Sequence, residues 1–127
     1  MVSMIRDEGR VLTQPDIPHA EPKMGKVAVI YTTPETVIED YARLLDLADY
    51  QTALTPDIDT FLKVNISWQH YYPACSTAPW QIEGVAEKLR ADGFDKLTAA
   101  HNGTVVVNPA EGREKNKHKV VEDRLGL

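Results

Sequence analysis

The feature that most constrains this chain is the alternation of short apolar runs with longer amphipathic segments. Residues 27–31, 60–66 and 96–101 have the length and composition of buried strands. Each run leads into a segment with apolar residues at helical spacing. Strand–helix units in this order are joined by right-handed crossovers and form a parallel sheet. We therefore expect an α/β fold of three layers, with a mostly parallel sheet built from βα units.

Local signals predict where the helices begin and end. Thr33 as the cap and Pro34 in the first turn start a first helix, which ends near residues 49–50. A second helix covers residues 79–91, and Gly93 suits the left-handed position that stops it.

The last predicted helix covers residues 114–125 and is capped by Gly126. Its inner face is expected to carry Val120, Val121 and Leu125. The apolar residues 105–107 before it either extend the third strand or form a further short one.

Length and composition fit one domain with an arm. The 127 residues are 43% hydrophobic and 26% charged, which is an ordinary globular balance. Residues 1–23 contain three prolines and few apolar residues in any period, so we expect an extended N-terminal arm before an α/β domain at residues 24–127. About three strands is fewer than a sheet usually has. We expect a homo-oligomer, or a missing C-terminal portion of a larger domain, to complete the sheet.

Charge and cysteine content exclude several classes of partner. The net charge of −5 argues against a nucleic-acid partner, whose phosphates require a basic surface. No apolar run reaches the eighteen or so residues of a membrane span, so no membrane partner is expected. Residues 1–10 contain no apolar signal core, and Cys75 is the only cysteine. These features favour a cytoplasmic location.

Polar residues lie where the predicted strands end. Ligands of open α/β sheets bind at the carboxyl ends of the strands, near helix N-termini. We therefore predict that the chain binds a small anionic ligand there, with a pocket rim formed by His101 and Asn102. The residues predicted to hold the anion are Lys63, Asn65, Ser76 and Thr77. Nothing in these residues names a reaction, or decides whether the chain is an enzyme.

The same residues also have structural interpretations. Lys63 extends from a strand edge to water, and Asn65 ties down a loop. Thr77 caps the second helix without binding anything. Cys75 is an unreactive small thiol, or else a nucleophile whose thiolate the helix N-terminus stabilises.

Metal and nucleotide chemistry find little support in the sequence. His70, Cys75 and His101 are candidate metal ligands, but their spacing matches no recognised zinc pattern. No glycine-rich phosphate loop of the dinucleotide or Walker type is present. We predict no metal and no cofactor, and keep a metal-dependent redox protein as an alternative. A second alternative is a non-enzymatic interaction or oligomerisation module. It would dock through the acidic first helix within the stretch 34–62, whose other interpretation is a solvated face, or through an aromatic loop. The aromatic residues of that loop are Trp68, Tyr71, Tyr72 and Trp80.

Three segments resemble the family called domain of unknown function 362. They are the strand with Lys63 and Asn65 in a Lys-x-Asn pattern, the turn into a helix at residues 76–79, and residues 93–98, which lead to the next strand. The resemblance covers residues 26–127. It implies a parallel α/β domain in which Lys63, Asn65 and Thr77 match the family's motif, and it assigns them no catalytic role.

Members of that family are usually longer, and some carry ferredoxin-type iron–sulfur clusters. This chain departs from that pattern because Cys75 is its only cysteine. An iron–sulfur cluster needs several thiolate ligands, so this chain alone cannot hold one.

Overall fold

The computed structural model describes residues 4–5, 11–12, 27–72 and 74–127. In these residues the elements are, in chain order, β1 (Met4–Ile5), β2 (Val11–Leu12), α1 (Val37–Ala48), β3 (Thr60–Lys63), α2 (Pro79–Ala91), β4 (Leu97–Ala100), α3 (Pro109–Lys115) and α4 (His118–Leu125). One turn of 3₁₀ helix, Tyr50–Thr52, follows α1. β1 and β2 pair with each other in antiparallel orientation. Apart from these two strands, the predicted arm at residues 1–23 lies outside the described residues.

β3 and β4 form a two-stranded parallel sheet, and α2 connects them in the chain. Their register runs from Thr60 opposite Leu97 to Lys63 opposite Ala100. Hydrogen bonds from Val64 N–H to the Ala100 carbonyl and from Thr60 N–H to Lys96 extend the pairing. The second and third predicted strands are thus confirmed in shortened form, and the chain is of mixed α/β type.

α2 occupies the predicted residues because its end signals are local. Ala78 is the N-cap residue, and its N–H donates to Gln81 Oε1 at 2.8 Å. Pro79 takes the first helical position, where no N–H is needed. At the other end Gly93 has a φ of 90°, and Phe94 N–H bonds back to the carbonyl of Leu89. Thr77 is therefore not the cap residue of this helix.

α1 begins later than predicted. Residues 34–36 form a turn, and the helix starts at Val37 after Thr36 rather than after Thr33. The Thr36 hydroxyl donates to Asp40 Oδ2 at 2.6 Å, which lowers the pKa of that buried carboxyl group. Asp49, with a φ of 59°, ends the helix in a left-handed conformation.

The core lies around α2. One cluster of buried side chains joins α2 to the 3₁₀ turn and to β4; its members are Tyr50, Ala86, Leu89, Phe94 and Leu97. A second cluster joins α2 to β3 and α4; its members are Val64, Ile82 and Val121. Burying each large apolar side chain stabilises the fold by about 1.5–3 kcal/mol, so α2 is the element on which the others depend most.

The prediction of a buried strand at residues 27–31 was wrong. These residues lie outside any strand, and Val27, Val29 and Tyr31 are 83%, 78% and 97% exposed. An apolar run shows what a segment would bury, whereas a strand also needs a neighbour to take its hydrogen bonds. Residues 105–107 likewise form no strand, and only Val107 among them is buried. Of the three predicted strands, two, β3 and β4, thus form the parallel sheet of the described residues.

The last helix is two helices. α3 starts at Pro109, because the Asn108 side chain accepts hydrogen bonds from the N–H groups of Ala110 and Glu111. Lys117, with a φ of 65°, separates α3 from α4. α4 then turns Val121 inward, whereas Val120 is exposed, contrary to prediction. Gly126 ends α4 in the predicted left-handed conformation. No helix in the described ranges is long and apolar enough to cross a membrane.

The close contact between α1 and α2 yields a stability prediction. A Cβ at Gly84 would lie 2.7 Å from Tyr41 Cβ and 3.2 Å from the carbonyl oxygen of Ile38. Replacing glycine by alanine inside a helix normally stabilises it by about 1 kcal/mol. We expect Gly84→Ala to lower the free energy of unfolding instead, by about 1–3 kcal/mol, because the helices must move apart. Urea denaturation measures this change.

The matched control is Gly103→Ala. The nearest atom to a Cβ at that position is Pro109 Cγ, at 4.0 Å. This variant should unfold at the wild-type urea concentration. Equal midpoints for the two variants would contradict the packing described for Gly84.

Candidate functional site

Thr77 joins three elements at the carboxyl end of the sheet. Its Oγ1 accepts a hydrogen bond from Asn65 N–H at 2.9 Å, and its own N–H donates to the Asn65 carbonyl at 3.0 Å. Its carbonyl lies 2.6 Å from Nε2 of His118. Asn65 follows β3, Thr77 precedes α2 and His118 opens α4. One residue thus ties the end of the strand to both helices.

The Asn65 side chain holds the loop that leads to Thr77. Its Nδ2 donates to Ser67 Oγ at 2.8 Å and to the Cys75 carbonyl at 3.2 Å. Ser67 N–H in turn donates to Ser76 Oγ at 3.3 Å. Both amide hydrogens of Asn65 are occupied, so this side chain shapes the loop, as its structural interpretation proposed.

A cavity of about 460 Å³ lies beside Thr77 at the start of α2. Its walls are uncharged and combine aromatic rings with hydroxyl and amide groups; they are formed by Tyr71, Tyr72, Ala74, Ser76, Thr77, Ala78, Pro79, Trp80, Gln81 and Asn116. The three rings are all exposed to solvent in part. We call this space the hydroxyl cavity.

The hydrogen-bond donors of the hydroxyl cavity are only partly used. The hydroxyl oxygens of Ser76 and Thr77 each accept a backbone N–H, which leaves their own hydrogens free to donate elsewhere. Helix N-termini expose N–H groups without an intrahelical partner. In α2, Pro79 has no N–H and Ala78 N–H bonds to Gln81, so the amide of Trp80 is the donor of the first turn that remains.

A second cavity, of about 370 Å³, lies along β3. It shares Thr77 and Gln81 with the hydroxyl cavity, and Lys63 lies in its wall. The Lys63 ammonium group is exposed and donates to the Val64 carbonyl at 3.2 Å. Because its wall is mostly apolar, we call it the β3 groove.

The six predicted ligand-binding residues thus separate into distinct places. Asn65, Ser76 and Thr77 are linked to one another through hydrogen bonds. Lys63 lies in the wall of the β3 groove, which shares Thr77 but not Ser76 with the hydroxyl cavity. Asn102 is exposed in the loop after β4, while His101 points into a buried polar cluster.

That buried cluster contains residues that sequence reasoning missed. Glu122, only 1% exposed, pairs with Nε of Arg113. Its Oε1 lies 3.3 Å from His101 Nε2 without forming a hydrogen bond. The rings of His101 and His118 are parallel, with centroids 6.2 Å apart. Both ring nitrogens of His101 are buried, so this side chain is not available to a ligand in solution. The cluster contacts the site through His118, which is hydrogen-bonded to Thr77.

A signal for the cluster was present in the sequence. His118 and Glu122 are four residues apart, which places both on one face of a helix, beside the buried Val121. The apolar spacing by itself predicts a capped amphipathic helix at the end of the chain with only its apolar residues inward. Polar residues on that inward face are informative, because buried charges require partners.

His118 is held in its neutral form. Burial lowers the pKa of its imidazole, and the charges of His101 and Arg113 act in the same direction, against the Thr77 carbonyl and Glu122. A carbonyl only accepts hydrogen bonds, so the proton of the neutral ring is on Nε2. Nδ1 is then a buried acceptor that has no partner in the described part of the chain.

The structure does not bring the candidate metal ligands together. Nδ1 of His70 lies 3.4 Å from the ammonium group of Lys115, and Cys75 is exposed in the loop before α2. His101 lies in the buried cluster. Across residues 27–72 and 74–127, no three His, Cys, Asp or Glu side chains are arranged to hold a metal ion.

Comparisons with known proteins give no assignment. The chain was compared with protein-family models, with curated proteins and with solved structures, and none of them matches it. Functional arguments therefore rest on the geometry of the site.

The neutral state of His118 predicts how stability depends on pH. The unfolded chain protonates this residue with the ordinary pKa of 6.5, whereas the folded protein does so only at lower pH. The unfolded state therefore binds the proton first on acidification, and the free energy of unfolding should fall as the pH drops below 6.5. His118→Gln keeps a donor for the Thr77 carbonyl without titrating, so it should flatten this part of the profile. Urea denaturation between about pH 8 and pH 5 measures it.

The control for this experiment is His70→Gln, which alters an exposed ring. This variant should keep the wild-type dependence on pH. The account of His118 fails if His118→Gln and the wild type lose stability equally on acidification.

Proposed function

We propose that this protein binds a small anionic ligand with a planar apolar part, and that the ligand occupies the hydroxyl cavity. The observation that carries the proposal is the composition of the wall. The wall combines free hydroxyl hydrogens and a free amide with three aromatic rings, and none of the described residues that line it carries a carboxylate.

The donors of the cavity favour an anion. Ser76 and Thr77 offer O–H groups, and Trp80 offers a backbone N–H at the positive end of the α2 dipole. The described residues of the lining are all uncharged, so none of them places a carboxylate in contact with a negative group. Hydrogen bonds between neutral donors and an ionised acceptor are worth about 1.5–3 kcal/mol each.

The rings favour a planar apolar group on the same ligand. Tyr71, Tyr72 and Trp80 each leave about half or more of their surface exposed. Aromatic side chains gain most when another flat apolar surface covers them. A volume of about 460 Å³ lies within the usual range for small-molecule sites.

The other predicted residues keep secondary places in this proposal. Lys63 adds positive charge from the β3 groove across Thr77, without lining the hydroxyl cavity. Asn65 holds the loop, His101 supports the wall from the buried cluster, and Asn102 stays at the rim.

We also propose that the three-layer sheet and the resemblance to domain of unknown function 362 apply to this chain. The resemblance supports a site at this position, because, of its matched residues, Lys63 ends β3, Asn65 follows it and Thr77 is hydrogen-bonded to Asn65.

Binding of phenyl phosphate tests the proposal by isothermal titration calorimetry. We expect binding of phenyl phosphate and weaker binding of inorganic phosphate, which lacks the ring. Ser76→Ala and Thr77→Val should each weaken the affinity about tenfold, the equivalent of one lost hydrogen bond to a charged group.

Thr98→Val is the matched control, because it removes an exposed hydroxyl on β4 that lines neither cavity. It should bind phenyl phosphate like the wild type. Benzyl alcohol, which has the ring but no charge, should not bind measurably. Equal affinity for benzyl alcohol, or no effect of either cavity variant, would refute an anion site formed by these hydroxyls.

A further inference from the structure

β3 has one open edge. Within the described residues it pairs with β4 alone. The N–H groups of Thr60 and Val64 point towards β4, so by alternation the backbone groups of Phe61 and Lys63 point to the opposite side. An edge with free peptide groups is a template for an added strand.

The β3 groove runs beside this open edge. Its wall is mostly apolar and is formed by Tyr41, Phe61, Leu62, Lys63, Val64, Thr77, Gln81, Ile82 and Val85. Phe61 is 68% exposed although it lies in the middle of a strand. An added strand would therefore find both backbone partners and apolar surface for its side chains.

Residues 27–31 have the properties of a strand that could pair with the open edge of β3. They are uncharged, and all but Ala28 are β-branched or aromatic. Ala28 and Ile30 are half-buried, whereas Val27, Val29 and Tyr31 point outward. This alternation is that of a strand with one face uncovered, although the segment takes part in no ladder.

We propose that two copies of this chain form a two-fold symmetric dimer, in which residues 27–31 of each copy pair with the open edge of β3 in the other. The chain carries both halves of the contact, and such reciprocal contacts close on themselves in a dimer. A second copy is the occupant we favour, because within the described residues the segment 27–31 of the same chain does not pair with its own β3.

The charges near the open edge of β3 and near the donor segment also favour a second copy of this chain. Lys63 on the acceptor edge pairs with no carboxylate within the described residues. The donor segment leads directly into the acidic start of α1, where Glu35 and Glu39 are exposed. Parallel addition, with residue 31 beside the Lys63 end of β3, brings these opposite charges of two copies towards each other, which favours this pairing.

Light scattering coupled to size-exclusion chromatography tests the dimer. The wild type should elute with twice the chain mass of 14.2 kDa. Val29→Glu removes the donor and Phe61→Glu the acceptor, so each variant should elute with the mass of one chain. Val106→Glu and Val120→Glu are matched controls, since Val106 is 73% exposed beside 78% for Val29, and Val120 equals Phe61 at 68%. Both controls should stay dimeric.

Mixing the two monomeric variants sharpens the test. The Val29→Glu chain keeps an intact β3 edge and the Phe61→Glu chain keeps an intact donor, so the mixture should recover one of the two pairings and form heterodimers. A monomeric wild type overturns the proposal. A dimer that survives both variants, or that either control dissociates, overturns it as well, because the interface then lies elsewhere.

Discussion

The hydrogen bonds of Thr77 are the constraint on which the rest of the site depends. Thr77 forms two hydrogen bonds with Asn65, just beyond the end of β3. Its carbonyl accepts a third from His118 at the start of α4. Each bond contributes only about 1 kcal/mol, but together they fix the position of α2 relative to the sheet. Because Thr77 lies in the walls of both cavities, its position determines the shape of each.

The buried cluster explains how this arrangement is kept in place. Arg113 neutralises Glu122 inside the fold, so the carboxylate does not have to be paired with a protonated His118. His118 can then stay neutral and donate its one hydrogen to Thr77. A charged pair taken out of water is costly unless it is well paired, and the contact of Arg113 with Asp123 adds a further partner near the surface. Ion pairs and hydrogen bonds thus hold the elements together at the carboxyl end of β4, whereas apolar packing holds them together around α2.

How much could be predicted from the sequence differs from element to element. α2 was predicted at both ends because Pro79 and Gly93 act within their own turns. Residues 27–31 were misjudged because pairing depends on a neighbour that the run itself does not specify. Ser76 and Thr77 line the hydroxyl cavity together, whereas Lys63 lines the β3 groove. Which of them share a cavity depends on how the loop after β3 folds back on Asn65, and the strand pattern does not specify this. Arg113 and Glu122 were missed because they come together only through the break at Lys117.

The central claim is that the hydroxyl cavity is the binding site, and amide chemical shifts measured by NMR during titration with phenyl phosphate test it most directly. The account predicts that the shifts change around Ser76, Thr77 and the Trp80 amide and indole, and at the side-chain amide of Asn116, which lines the same cavity. Changes centred on Phe61 and Lys63 would place the ligand in the β3 groove. That result, or a spectrum that does not change at high ligand concentration, would contradict the account.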